Sequence, residues 1–331
     1  ETKMGNYYSS TVAPTEEVGE HIVAKVNGFI KKDFVGEETD GWRRWYFGWP
    51  WNKPKEALWS HTFAGFIQTE VKMHNARLMQ EAWKGDKASF FEKHGFVLCK
   101  APTKIKDWNE DYLDEETDIS KIYHQEIETL IREVLFPEGT EFTKIDQPPA
   151  VLRRGPGTKS NFYGNGVHQD YCLTPEDYKR SFEACIADEA ALQELHKKFD
   201  MPFAESDSFC IVCFWRPINM EKPLLNNPLC VLDCSTLKEE DMIKTELYGF
   251  APTGKPLVQL NLKHDDGQRW CYYPDMTCDE VLVLKQFMYQ KSDPNKAYKC
   301  CFHSAFVDPR EPYSNREYRQ STEHRVGIFL K

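Results

Sequence analysis

No apolar stretch in these 331 residues approaches the roughly 20 that a membrane-spanning helix needs. An excess of basic charge is missing too. Lys and Arg number 42 against 52 Asp and Glu, a formal net charge of −10, which argues against nucleic acid as the main partner. The pairs Arg43-Arg44 and Arg153-Arg154 are too short to overturn that. The opening Glu1-Thr2-Lys3-Met4 carries no signal-peptide pattern, so a cytoplasmic protein is expected. Residue 1 is not Met, which fits a trimmed chain. Internal repeats, low-complexity tracts and a clear linker are all lacking. What is present is an acidic chain with 40% hydrophobic residues, enough for a core.

The eleven cysteines do not form a framework. Cys210-x-x-Cys213 and Cys230-x-x-x-Cys234 have ligand-like spacing. Their flanks are wrong for a zinc ribbon, because Phe209-Cys210-Ile211-Val212-Cys213-Phe214-Trp215 is an apolar strand. Buried thiols acting as small hydrophobes are expected, in a reducing compartment.

The chemistry concentrates in Val167-His168-Gln169-Asp170-Tyr171 and in Phe302-His303, 135 residues after the first histidine. Strand side chains alternate with period two, so His168 and Asp170 point to one face of an extended segment. With His303 they would make a 2-His-1-carboxylate triad. Such a triad holds three positions on a non-haem Fe(II) and leaves the opposite face open. Downstream, Arg319, Ser321, Glu323 and Arg325 share one face of a terminal strand. An Arg-x-Ser pair suits a carboxylate beside the metal, because arginine is an always-charged bidentate clamp and the hydroxyl adds a hydrogen bond. The C5 carboxylate of 2-oxoglutarate needs such a clamp. Arg319 with Ser321 is the expected one, and Arg325 the competing candidate.

Other candidates line the expected pocket. Arg216 ends a strand, and an inward arginine there needs an anion. Either the co-substrate or a substrate could supply it, or an ion pair with Asp233 or Glu280. Arg153 and Arg154 lie on the strand before the metal pair, where alternation turns only one of them inward. Tyr163 and Asn165, in a Gly-rich loop before His168, are candidates for the mouth. So many cations near one site are expected either to meet a small, amino-acid-derived substrate bearing a carboxylate or to pair internally with Asp233, Asp275 or Glu323.

Residues 1–20 read as loose or surface-wrapped, and 40–60, dense in Trp, Tyr and Pro, as a packed loop or lid. Strands are expected at Val23–Ile30, Phe63–Met73 and 95–98. Helices are expected at Leu78–His94, at Ile119–Val134 with Asp118 as cap, at Pro175–Lys198 and at Asp279–Tyr289. From 150 onward short strands dominate: 150–154, 166–171, 208–216, 228–233, 256–261, 269–273, 299–306 and 321–330. The expected fold is mainly β with flanking helices, around a double-stranded β-helix of the jelly-roll or cupin type. One oxygenase domain would cover 1–331, with an N-terminal extension and aromatic insert (1–60), flanking elements (61–149) and the core (150–331).

Several segments carry a family resemblance: Lys93-His94-Gly95-Phe96, Val151-Leu152-Arg153-Arg154, Val167-His168-Gln169-Asp170 and Phe214-Trp215-Arg216-Pro217-Ile218. Tyr272-Tyr273-Pro274-Asp275-Met276-Thr277, Asp279-Glu280-Val281, Lys285-Gln286-Phe287, Phe302-His303-Ser304-Ala305-Phe306, Arg319-Gln320-Ser321 and Glu323-His324-Arg325 follow in order. Over most of 70–330 the chain resembles the AsaB/CmcJ family of hydroxylases and desaturases, related to gibberellin desaturase-like proteins. The resemblance implies Fe(II), 2-oxoglutarate and O2 as cofactor and co-substrates. It implies hydrogen abstraction from a natural-product intermediate, ending in hydroxylation, desaturation or ring closure, kainoid-type cyclisation of a carboxylated amino acid included. Two other classes share the ligand set: a catalytically silent cupin-like binding module, and a zinc hydrolase, for which Arg-x-Ser has no evident purpose.

Overall fold

A computed structural model describes residues 20–31, 38–39, 42–46, 66–108, 117–148, 151–158, 160, 163–249, 251–294, 299–311 and 317–331. The strands are β1 (His21–Ile30), β2 (Glu38–Thr39), β3 (Trp42–Tyr46), β4 (Phe66–Asn75), β5 (Phe96–Lys100), β6 (Phe142–Asp146), β7 (Leu152–Arg154) and β8 (Ser208–Pro217). They continue as β9 (Leu229–Leu232), β10 (Met242–Tyr248), β11 (Leu257–Leu262), β12 (Trp270–Tyr272), β13 (Glu280–Gln290), β14 (His303–Ala305) and β15 (Ser321–Leu330). The helices are α1 (Ala76–Glu81), α2 (Lys87–His94), α3 (His124–Leu130), α4 (Pro175–Cys185) and α5 (Glu189–Glu205). Wide π-type turns at Ile119–Tyr123 and Ile131–Leu135 extend α3 at both ends.

The strands form three sheets, ordered β5-β13-β8-β15-β6 with β7 also on β15, then β1-β4-β12-β9-β14, and β11-β10-β3-β2. The first has six strands. Its central strand β8 is buried along its whole length, so it reads as a continuous apolar run rather than an alternation. Opposite partners in an antiparallel pair project to the same side. Cys213, Trp215 and Pro217 face Arg325, Glu323 and Ser321 on β15, and β7 sets Arg154 opposite Ser321. Residues of the other parity, Arg216 and Phe214 with Thr322 and His324, turn to the layer that contains α3. There His324 stacks on His124 at 5.2 Å.

The expected helix at Asp279–Tyr289 is instead β13, paired with β5 and β8. Val281, Leu282, Val283 and Leu284 are buried on both faces of a sheet, and a short apolar run carries no period that separates strand from buried helix. The helix expected over 78–94 breaks where Gly85 and Asp86 intervene. Asp86 caps α2 by accepting from the Ser89 N–H at 2.8 Å. The one expected over 175–198 is two helices, the second capped by Asp188 through the Ala191 N–H. Asp118 makes no side-chain cap bond; the Thr117 hydroxyl accepts from Ser120 N–H instead, at 3.3 Å. Strands β6 and β10 have no counterpart in the expectations, and β14 is shorter than its own. Within 40–60, residues 42–46 form β3 rather than loop, parallel to β10. The rest of that stretch, and the expectation for 1–19, lie outside the described residues.

One close approach ties the scaffold to the chemistry. Gly28 sits at a bulge in β1 with φ +87°, and a Cβ there would lie 2.6 Å from Gly166 Cα and 2.7 Å from Val167 N. Next to it, Asn27 O accepts from Val167 N–H at 2.8 Å. Gly28→Ala should therefore cost about 1–3 kcal/mol of backbone strain, read as a lower urea midpoint. Because the displaced residues adjoin His168, metal affinity should fall with it.

Candidate metal and carboxylate site

Residues 167–170 run as an extended segment between two sheet edges. His168 exchanges backbone hydrogen bonds with His303 of β14, at 3.2 and 3.0 Å, and Gln169 does so with Leu260 of β11, at 2.9 and 3.0 Å. Asn261 donates its amide to Val167 O at 3.1 Å. This lattice of backbone bonds brings two distant chain positions together. One ligand atom from each of His168, Asp170 and His303 lies within 4.8 Å of the other two. His168 Nε2 and Asp170 Oδ1 are 3.4 Å apart, and the two imidazole centroids 4.5 Å. It is the one group of three such side chains within metal-holding distance among the described residues. All eleven cysteines are free thiols, and Cys210 and Cys213 face opposite sides of β8.

The neighbours set the orientation and charge of these groups. His168 Nδ1 lies 2.6 Å from Gly166 O, and His303 Nδ1 lies 3.4 Å from Cys301 O. Donation of Nδ1–H to a carbonyl leaves Nε2 as the lone pair facing the cluster. Burial, then the charge of His168, push the His303 imidazole down to about 4, which keeps it neutral. Burial also works against a charged His168, but the hydrogen bond and charge of Asp170 outweigh it and raise its pKa. For Asp170, burial favours the neutral acid. The Arg325 guanidinium, the His168 hydrogen bond and both imidazoles reverse that and hold the carboxyl well below its ordinary range.

Behind Asp170 runs an alternating row of charges. Arg325 Nε donates to Asp170 Oδ2 at 2.8 Å and its Nη2 to Glu323 Oε2 at 2.9 Å, while Arg154 Nε donates to Glu323 Oε1 at 2.6 Å. The competing candidate Arg325 is thus committed to two carboxylates, and the inward member of the Arg153-Arg154 pair is Arg154. Arg153 lies on the other face, opposite Thr322. Arg216 also faces away from the cluster. It donates to Ala101 O and Cys278 O, and packs over the Trp108 and Tyr123 rings at 5.9 Å each. It pairs with neither Asp233, which binds His94 and Arg269, nor Glu280, which binds Arg77. Asn165 is exposed.

Arg319 is different. It is 1% exposed, and its Nε has no hydrogen-bond partner among the described residues. One Nη donates to Asn227 O, and the guanidinium lies 4.2 Å from the Tyr163 ring centroid and 5.5 Å from that of Trp215. Tyr163 in turn donates its hydroxyl to Arg319 O at 2.8 Å. Burial pulls this guanidinium down to about 10, still cationic at neutral pH. The Ser321 hydroxyl is likewise buried and has no hydrogen-bond partner among the described residues.

Glu323, one of the acids expected as an internal partner for the arginines, organises Arg154 and Arg325. One residue escaped the sequence reading. Gln286 accepts from Asp170 N–H at 3.4 Å. It is the extra residue at the β13 bulge between Lys285 and Phe287, and a bulge re-aims a side chain. Reading 279–289 as helix concealed it. Arg325→Met should weaken metal binding by about 10–100-fold, the usual effect of removing an outer-shell partner. Anaerobic Fe(II) titration measures this, and an unchanged affinity would show that the Arg325–Asp170 bond does not matter.

A family model described as "Oxidoreductase/YMDC permease-like domain" matches residues 46–329. The chain belongs to that family. No described helix of this oxidoreductase-family protein is long and apolar enough to cross a membrane. Among curated relatives, the hydroxylase/desaturase asaB of Aspergillus flavus is 32% identical over 135 residues, covering 37% of this chain and 56% of the relative. The hydroxylase/desaturase CTB9 of Cercospora beticola is 23% identical over 305 residues, covering 83% and 82%. The chain thus spans about half the length of the first relative and most of the second. These names agree with the AsaB-type resemblance of the motifs. The iron and alpha-ketoglutarate-dependent endoperoxidase NvfI superposes with a TM-score of 0.65 at 18% identity, over 94% of this chain and 98% of that one. The fold of this family member is therefore the one NvfI has, a cupin-type jelly roll.

Proposed function

We propose that this chain is an Fe(II)- and 2-oxoglutarate-dependent oxygenase that removes hydrogen from a small natural-product intermediate, with one oxygenase domain over 1–331, working in the cytoplasm. The carrying observation is the convergence of His168, Asp170 and His303 within 4.8 Å. The residues present fit both the metal and the co-substrate. Two neutral-capable imidazoles and one ionised carboxylate are the donor set of a non-haem iron site. The partnerless Arg319 Nε and Ser321 Oγ are a donor pair for the far carboxylate of 2-oxoglutarate.

In this reading His168, Asp170 and His303 hold the metal. Arg325 holds Asp170 in its ionised, oriented state, and Arg154 with Glu323 holds Arg325. Arg319 and Ser321 bind the C5 carboxylate of the co-substrate, and Tyr163 supports Arg319 from one side. Fe(II) with 2-oxoglutarate and O2 supplies the oxidising chemistry when bound. The chain's part is to orient the substrate and to keep the site shielded from water.

The substrate's chemistry is read more coarsely than the sequence suggested. A carboxylate on it was inferred from surplus inward arginines. Arg154 and Arg325 are paired with Glu323 and Asp170, and Arg153 and Arg216 face the other layer, so that surplus does not exist. A small molecule remains the proposal, whether the outcome is hydroxylation, desaturation or ring closure. The test is anaerobic addition of Fe(II) and 2-oxoglutarate. A metal-to-ligand charge-transfer band should appear, followed by succinate release on admitting O2 with substrate. Metal binding without the band would leave a silent metal-binding module.

A further inference from the structure

A cavity of about 380 Å³ lies on the face of the large sheet turned away from the His168–Asp170–His303 cluster. Cys210 and Met288, opposite each other on β8 and β13, form its floor, and they share the parity of Arg216 rather than of Cys213. Phe91 of α2 and Leu135 at the end of the α3 run close it from above. The volume falls within the range of small-molecule pockets.

Into these apolar walls the sheet places a lysine. Lys285 is opposite Val212 on β8, on the cavity face, and is 3% exposed. Its ammonium has a single hydrogen bond, to Glu92 O at 3.3 Å, and sits 4.9 Å from the Phe91 ring centroid. Among the described residues no carboxylate pairs with it. Burial pushes the neighbouring Cys210 thiol up to about 12, so it offers no thiolate. Lys299 and Lys331 also line the cavity, against one acid, Glu92. A buried ammonium with one long carbonyl bond and an aromatic face is under-compensated. One oxygen anion would supply what is missing.

We propose that this cavity binds a small amphiphilic monocarboxylate, with its apolar body against Phe91, Leu135 and Met288 and its carboxylate on Lys285. A single buried cation in apolar walls suits one negative charge better than a phosphate dianion, which demands several donors. The site is separate from the iron site and does not depend on the reading given to it.

Calorimetric titration of the full chain with octanoate and with octan-1-ol, a neutral analogue of similar length, tests this. Octanoate should bind one-to-one and at least tenfold more tightly than the alcohol. Saturating 2-oxoglutarate should not displace it. Lys285→Met, which keeps the bulk and removes the charge, should weaken octanoate at least tenfold without lowering the thermal midpoint. If that variant does not fold, Thr140→Trp at the cavity rim decides, since a blocked mouth should cost the same factor. No octanoate binding, equal binding of acid and alcohol, displacement by 2-oxoglutarate, or unaltered binding in a folded variant would each overturn the proposal.

Discussion

His303→Ala should abolish succinate release, with a loss of more than about 100-fold, since even outer-shell partners of a metal site cost up to that factor. The imidazole lies on a short strand whose register rests on backbone bonds, two with His168 and others with β9. Removing the side chain leaves those bonds in place, so far-UV circular dichroism should stay close to that of the parent. His168→Ala should behave alike. If either variant retained full activity with unchanged iron affinity, the triad would not be the metal site, however close its atoms lie.

The second large effect concerns Arg319. Arg319→Met keeps most of the bulk between Tyr163 and Trp215 but removes the cation. Truncating one partner of a buried charge pair costs about 2–5 kcal/mol, so the 2-oxoglutarate concentration needed for half-maximal rate should rise at least tenfold. Iron affinity, measured without co-substrate, should hardly move. Arg325→Met should give the reverse pattern, weak iron and a nearly unchanged co-substrate requirement at saturating metal. Should Arg325→Met alone raise the co-substrate requirement, the two arginines would exchange roles.

The His168–Asp170–His303 cluster was legible because its logic is local: His168 and Asp170 need only the two-residue period of an extended chain, and His303 precedes the Arg-x-Ser row. The β-rich architecture was legible from its spaced apolar runs. What escaped was whatever depends on partners across the fold. Parity of the expected terminal strand gives the face that Arg325 shares with Arg319, but not that Asp170 would meet the first and, among the described residues, no carboxylate hydrogen-bonds the second. Arg216 ends its strand with the same apolar flanks either way, and only the pairing with Thr322 reveals that it turns from the cluster. Gln286 could not be found while β13 was read as a helix, since its orientation is a property of the bulge.

The meeting of His168 and His303 has a thermodynamic side. An ion held by both, with Asp170, fastens the two ends of a chain segment 135 residues long. Such a clasp removes closure entropy from the unfolded ensemble, and the unfolded chain offers no comparable set of donors. Metal concentration therefore enters the folding equilibrium by mass action, at about 2.7 kcal/mol for free ion at a hundred times its dissociation constant. On the proposed iron-binding reading, a cell short of that metal would hold not only less active protein but less folded protein. Proteases acting on the opened state would then register metal supply as abundance.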